Sequence, residues 1–188
     1  MSVLRWIPNI ISLLRIALVP MVVASIATER YTLGVSLFML AGFSDGLDGW
    51  LARRFNWRTA LGAILDPIAD KLLLIGTFVV LASVGIVPLR VAILVVARDL
   101  IIMGGAITYH FLYGDLEGKP TILSKVNTLL LLVYVVALLL LETGRLGISE
   151  AMSQTIVTSL TLALLFTLTV STAHYMREWI TRAREHRV

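Results

Sequence analysis

Cysteine is absent from this 188-residue chain, which removes disulfides, thiolate metal sites and cysteine nucleophiles in one step. Charge is scarce: Asp, Glu, Lys and Arg make up 15% of the residues, and the long apolar runs largely avoid them. Histidine occurs three times, with His110 and His174 expected at helix ends and His186 in the tail, so none is assigned to a metal. An internal repeat is also missing. The second half has no second set of paired acids, which argues against a transporter built from inverted repeats. Hydrophobic residues instead form 58% of the chain and the mean hydropathy is +0.90. Soluble domains sit near ~45–50% apolar, so this composition is that of a membrane protein. A net charge of +4 needs no nucleic acid to explain it, because basic loops beside anionic lipid account for it.

The hydropathy pattern predicts an all-α polytopic protein, a single domain over 1–188 with six transmembrane helices. Each span is about 20 residues, the length a helix needs to cross the hydrocarbon core. Met1–Ile7 is expected to be a short interfacial segment carrying Trp6, and not a cleaved leader, because Arg15 interrupts the apolar stretch behind it. The spans run from near Pro8 to Ala27, Tyr31 to Phe55, Thr59 to Val84, Leu89 to Leu112, Thr121 to Leu141, and from about Glu150 to Tyr175. A polar loop at Tyr113–Pro120 and a charged tail from Arg177 complete the chain. Eleven Lys and Arg residues fall at the two ends and in the loops after the second and fourth spans, against three in the opposite loops. That bias predicts both termini on the cytoplasmic side; a bacterial cell (inner) membrane is the simplest expectation for the membrane itself.

Four carboxylates break the apolar pattern. Asp45 and Asp48 are three residues apart, and Asp66 and Asp70 four apart, so on helices each pair projects from one face. Acids in or at the edge of a membrane are expensive and point to function. A basic loop from Arg53 to Arg58 would turn the chain back as a helical hairpin, so that both pairs meet. Four converging carboxylates repel one another unless cations lie between them. All-oxygen ligands of this kind suit hard divalent ions, Mg²⁺ or Mn²⁺, in a pair. Such a site favours phosphoryl chemistry, with a soluble nucleotide docking from the cytoplasm. A cation transporter is the non-enzyme alternative. It would spread its acids along a pathway, whereas these crowd toward one face. Gly46, Gly49 and Gly62 lie on or near the acid-bearing faces, where either a ligand or a neighbouring helix must come close.

The run Asp45-x-x-Asp48-Gly49-x-x-Ala52-Arg53, eight residues, then Gly62-x-x-x-Asp66-x-x-x-Asp70 resembles the signature of the CDP-alcohol phosphotransferases at every fixed position over 45–70. The opening Asn9-x-x-Ser12-x-x-Arg15 and the run Asp66-Pro67-x-Ala69-Asp70-Lys71 resemble the same family. The resemblance implies a homodimeric six-helix enzyme that moves a phosphatidyl group from CDP-diacylglycerol to an alcohol and releases CMP. It implies Asp45, Asp48 and Asp66 as metal ligands, with Asp70 as the catalytic base that also touches a metal. Gly49, Ala52, Arg53 and Gly62 would line the nucleotide and diphosphate pocket. Arg15, Lys71, Arg98 and Lys125 are the cations placed for an anionic acceptor. The segment from Lys119 to Thr128, together with Ala97-Arg98-Asp99 and His174-Tyr175-Met176-Arg177, is most similar to CDP-diacylglycerol-dependent cardiolipin synthases. Their acceptor is phosphatidylglycerol. Glycerol 3-phosphate, the acceptor of phosphatidylglycerophosphate synthases, is the alternative. Arg98 is also a candidate for an internal ion pair. Direct pairing with Asp99 is not expected, since adjacent residues point apart on a helix.

Overall fold

The computed structural model describes residues 6–55, 57, 59–113 and 122–185. Six helices follow in order: α1 (Ile7–Ala27), α2 (Tyr31–Arg54), α3 (Ala60–Ser83), α4 (Leu89–Tyr113), α5 (Ile122–Glu142) and α6 (Glu150–Glu185). The expected all-α class and the six helical segments are observed. Arg58, the polar loop at 114–120, Thr121 and His186 lie outside the described residues, as do residues 1–5 of the expected interfacial segment.

The expectation of six membrane spans is corrected. Among the described residues, only three helices are long and apolar enough to cross a membrane: α1, α5 from Lys125, and α6 from Glu150 to Arg177. The physical reason is where the charge sits. The acid pairs and their flanking basic residues fall inside α2 and α3, whereas the described side chains of α4 cover only 89–105. α6 continues as one helix through the basic tail to Glu185, past the end of its apolar stretch.

The chain divides into two compact units, Met1–Leu89 with Leu138–Leu146, and Arg90–Ala137 with Gly147–Val188. In the first unit α1 packs along both α2 and α3, whereas α2 and α3 make little direct contact with each other. The reason is visible in α1, whose buried residues Pro8, Asn9, Ser12, Arg15, Val22, Ser25 and Ile26 recur at helical spacing. Its polar side chains point inward while Ile10, Leu13, Leu14 and Met21 are exposed. That is the reverse of a soluble amphipathic helix and suits an apolar solvent. Lipid offers no hydrophobic drive between helices, so close packing holds them together. Gly76 provides it on α3. A Cβ there would lie 3.3 Å from Val19 and 3.4 Å from Val23, so a larger side chain would push α3 off α1.

Between α2 and α3 the chain turns through an aromatic group. Phe55 stacks on Trp57 with centroids 4.8 Å apart, and Trp50 meets Phe55 edge-on at 6.5 Å. Trp50 and Phe55 are both about half exposed. Exposed aromatic clusters of this type suit the membrane–water boundary.

The second unit has its own interior, with Val91, Ala92, Val95, Leu131, Tyr134, Val135, Leu164 and Leu168 buried. Polar links stitch α5 to α6: the Tyr134 hydroxyl lies 3.0 Å from Thr161 Oγ1, and the Thr167 hydroxyl donates to Asn127 Oδ1 at 3.1 Å. Asn127, in the segment associated with the acceptor, is fully buried in this packing.

Candidate functional site

The site is built on α1, α2 and α3. Asn9, Ser12 and Arg15 are spaced three apart, which sets them along one face of α1, and each engages a residue at or near the acid pairs. Arg15 is completely buried. Its Nη1 donates to Asp45 Oδ1 at 2.6 Å and to Asp70 Oδ1 at 2.5 Å, and its Nη2 donates to Asp48 Oδ2 at 2.6 Å. Ser12 Oγ donates to Asp66 Oδ1 at 2.6 Å and lies 3.4 Å from Asp48 Oδ2. All four sequence-predicted acids therefore meet around two side chains of α1.

The cluster is graded from floor to mouth. The Asp48 side chain is 2% exposed, whereas Asp45 and Asp70 are each 44% exposed. A ligand approaching from outside meets Asp45 and Asp70 first. In place of a two-helix hairpin with the acids facing each other directly, α1 lies between the acid-bearing helices and delivers a cation into the gap.

Gly62 stands one turn before Asp66. Thr59 caps α3 by accepting from the Gly62 N–H at 2.9 Å, and its hydroxyl donates to Asn9 Oδ1 at 2.8 Å. A Cβ on Gly62 would fall 2.7 Å from Asn9 Oδ1 and 3.1 Å from Thr59 Oγ1. Only glycine leaves room for this junction between α1 and the start of α3. Alanine in place of glycine in a helix gains up to about 1 kcal/mol. Overpacking costs about 1–3 kcal/mol, so the clash wins. Gly62→Ala is thus expected to lower the thermal unfolding temperature; a more stable variant would show that the junction yields freely. By contrast, a Cβ on Gly46 would meet nothing within 4 Å among the described residues, so helix packing does not require that glycine.

The other sequence candidates are distributed as follows. Gly49 and Ala52 are half-buried on α2, on the same helix as Asp45 and Asp48. Arg53 is also on α2, but its side chain lies outside the described ones. Of the four candidate acceptor cations, Arg15 and Lys71 belong to the first unit and Arg98 and Lys125 to the second. Lys71 is half-buried and Lys125 exposed. Arg98 pairs directly with Asp99, Nη1 to Oδ1 at 2.7 Å, and donates from Nη2 to Ser171 Oγ at 3.0 Å. The expectation that these neighbours would not pair is therefore wrong: the long arginine side chain curls back to its neighbour's carboxylate. The pair is buried, with side chains 7% and 2% exposed. It lies beside an apolar cavity of about 400 Å³ lined by Leu94, Ile101, Leu165, Leu168 and Met176 among others.

The sequence resemblance pointed to Asn9 and Ser12 without giving them a role. The signal for one was present: three polar residues at helical spacing on an otherwise apolar helix must share a buried polar partner. Among the described residues, no group of three or more His, Cys, Asp or Glu side chains is arranged to hold a metal ion. The donor chemistry itself, four carboxylates from two helices, fits a hard divalent ion. The Arg15 guanidinium fills the middle of that donor set.

Comparison with known proteins agrees with the signature. The family model for CDP-alcohol phosphatidyltransferase matches residues 5–178. A cardiolipin synthase (CMP-forming) of Homo sapiens is 35% identical over 147 residues, covering 70% of this chain and 49% of that protein. One from Streptomyces coelicolor is 38% identical over 146 residues, covering 73% and 66%. A chloroplastic CDP-diacylglycerol–glycerol-3-phosphate 3-phosphatidyltransferase of Oryza sativa is 33% identical over 151 residues, covering 71% and 46%. The chain thus spans about half the length of the human and rice relatives. With nearly its whole length matched by the family model and all four signature aspartates gathered at one site, the chain belongs to the CDP-alcohol phosphatidyltransferase family.

Proposed function

We propose that this protein transfers a phosphatidyl group from CDP-diacylglycerol to phosphatidylglycerol, releasing CMP and forming cardiolipin. The observation that carries the proposal is the meeting of Asp45, Asp48, Asp66 and Asp70 around one point reached by α1, with Asp45 and Asp70 at its open mouth. These four residues would hold a pair of divalent ions, Mg²⁺ or Mn²⁺. Bound there, the ions would supply charge neutralisation to the diphosphate of the donor. Asp70, accessible at the mouth, takes the proton from the acceptor hydroxyl. The acceptor oxygen then bonds to the phosphorus carrying diacylglycerol, the bond from that phosphorus to the bridging diphosphate oxygen breaks, and CMP leaves with the electron pair. Gly49, Ala52, Arg53 and Gly62 are assigned to the nucleotide side, and Lys71, Arg98 and Lys125 to the anionic acceptor.

Phosphatidylglycerol is favoured by the cardiolipin synthase relatives and by the segment around Lys125. The rice relative supports the second reading, with glycerol 3-phosphate as acceptor. A site at the membrane–water boundary is supported by the aromatic turn beside the acids, and its opening toward the cytoplasm of a bacterial cell is proposed from the basic residues Arg53 and Arg54 next to it. The expectation that both termini share that side rested on six crossings and loses that support with three candidate spans. A homodimer is proposed on the family resemblance alone.

The test is CMP release by the purified protein with CDP-diacylglycerol and Mg²⁺ or Mn²⁺, offering each acceptor separately. Release with phosphatidylglycerol and not with glycerol 3-phosphate is expected. Release only with glycerol 3-phosphate would overturn the choice of acceptor and leave the reaction class standing.

A further inference from the structure

We propose that Arg15 is a built-in stand-in for the divalent ions: it holds the acid cluster together when they are absent and gives way when they bind. The proposal rests on the divalent-ion site just put forward. It begins with the geometry of the guanidinium. One nitrogen, Nη1, sits within hydrogen-bond distance of Asp45 from α2 and Asp70 from α3 at once, the position a cation bridging the two helices would take. Nη2 holds Asp48 at the floor of the cluster. Among the described residues α2 and α3 make few direct contacts, and these ion pairs join their acid-bearing faces through α1, alongside Ser12.

Charge makes the link necessary. Asp45, Asp48 and Asp70 share Arg15, which is 0% exposed, with Asp66 close by on Ser12, and without a cation their repulsion would push α2 and α3 apart. Arginine cannot solve the conflict by losing its proton, so it can only stay or move. A divalent ion and the guanidinium would compete for the same oxygen lone pairs on Asp45, Asp48 and Asp70. The competition is biased for exchange: Arg15 Nε is buried without a hydrogen-bond partner among the described residues, so the side chain is incompletely satisfied where it lies. Ser12 keeps its bond to Asp66 throughout, so one carboxylate remains oriented while the others exchange partners.

The idea separates from an ordinary structural role by its dependence on metal. Arg15→Gln is expected to lower the unfolding temperature in chelator by roughly 10 °C. Saturating Mn²⁺ is expected to erase that deficit, because the loaded cluster no longer uses the guanidinium. Thermal unfolding of the purified protein across a Mn²⁺ titration reads this without any activity measurement. Arg15→Lys, which keeps a charge but loses the fork, is expected to show a smaller deficit that Mn²⁺ also removes, and it serves if the glutamine variant does not fold in chelator. A deficit that persists at saturating Mn²⁺ would overturn the inference and make Arg15 a permanent strut. If wild-type unfolding does not respond to Mn²⁺ at all, the divalent-ion site itself is wrong.

Discussion

Asp66→Asn is expected to cut CMP release by about 100-fold or more, the scale on which a transition-state charge stabiliser is lost, without destabilising the protein. The two halves of this expectation come from different physics. For activity, replacing a carboxylate by an amide removes a charge from the donor set that holds the ions. For stability, the asparagine Oδ1 still accepts from Ser12, which donates to Asp66 at 2.6 Å. One negative charge fewer also removes the repulsion between residue 66 and the carboxylates that share Arg15. The unfolding temperature of the variant should therefore hold or rise. Residues kept for function at a cost in stability behave in this way. CMP release and thermal unfolding measured on one preparation check both halves. Full activity would remove Asp66 from the chemistry. A large loss of stability with the loss of activity would make it a packing residue.

In the second unit the largest expected effect is on folding. Arg98→Leu leaves Asp99, whose side chain is 2% exposed, without the guanidinium at 2.7 Å, and takes a donor from Ser171. Removing one member of a buried ion pair costs up to about 3–5 kcal/mol. Removing both charges, as in Arg98→Leu with Asp99→Leu, is expected to recover part of that loss, because the buried carboxylate goes with its guanidinium. Asp99→Asn should be milder than Arg98→Leu, since the amide oxygen still accepts from Arg98. Thermal unfolding of the two single variants and the double variant gives the coupling directly. Losses in the singles that simply add in the double would show that the pair does not act as a unit. A role for Arg98 in acceptor binding is separable by Arg98→Lys. A raised KM for phosphatidylglycerol with little change in unfolding temperature would mark contact with the acceptor.

The helix limits were readable because their signals are local. Pro8 and Asn9 open α1, Gly85 and Pro88 separate α3 from α4, and the observed ends of α1 to α5 fall within a residue or two of the apolar runs, whereas α6 runs on past Tyr175 to Glu185. The acid cluster was readable because three- and four-residue spacings fix a shared helix face whatever the tertiary structure. What fills the gap between those faces is not local information. Nothing in the interval from Asp45 to Asp70 says that α1 inserts there, and Arg15 was assigned to an acceptor because its partners lie 30 to 55 residues away. Asn9, Ser12 and Arg15 carried a readable hint in their common face, one that becomes decisive only beside the acids. The directions of Cβ atoms do not reveal the Arg98–Asp99 pair, because the arginine side chain is long enough to turn back on itself. The count of membrane spans failed for a physical reason. The charges that make the site lie inside helices whose apolar remainder resembles a span, and α2 and α3 cannot carry both without losing the uniform hydropathy of α1.

Everything proposed for the reaction depends on divalent ions held by Asp45, Asp48, Asp66 and Asp70. The direct measurement is CMP release from CDP-diacylglycerol with phosphatidylglycerol, first in excess chelator and then after Mg²⁺ or Mn²⁺ is restored. Release should vanish in chelator and return with either ion in the wild type, while Asp66→Asn stays inactive in both. An undiminished rate in chelator would contradict the metal site and leave the four aspartates in need of another explanation.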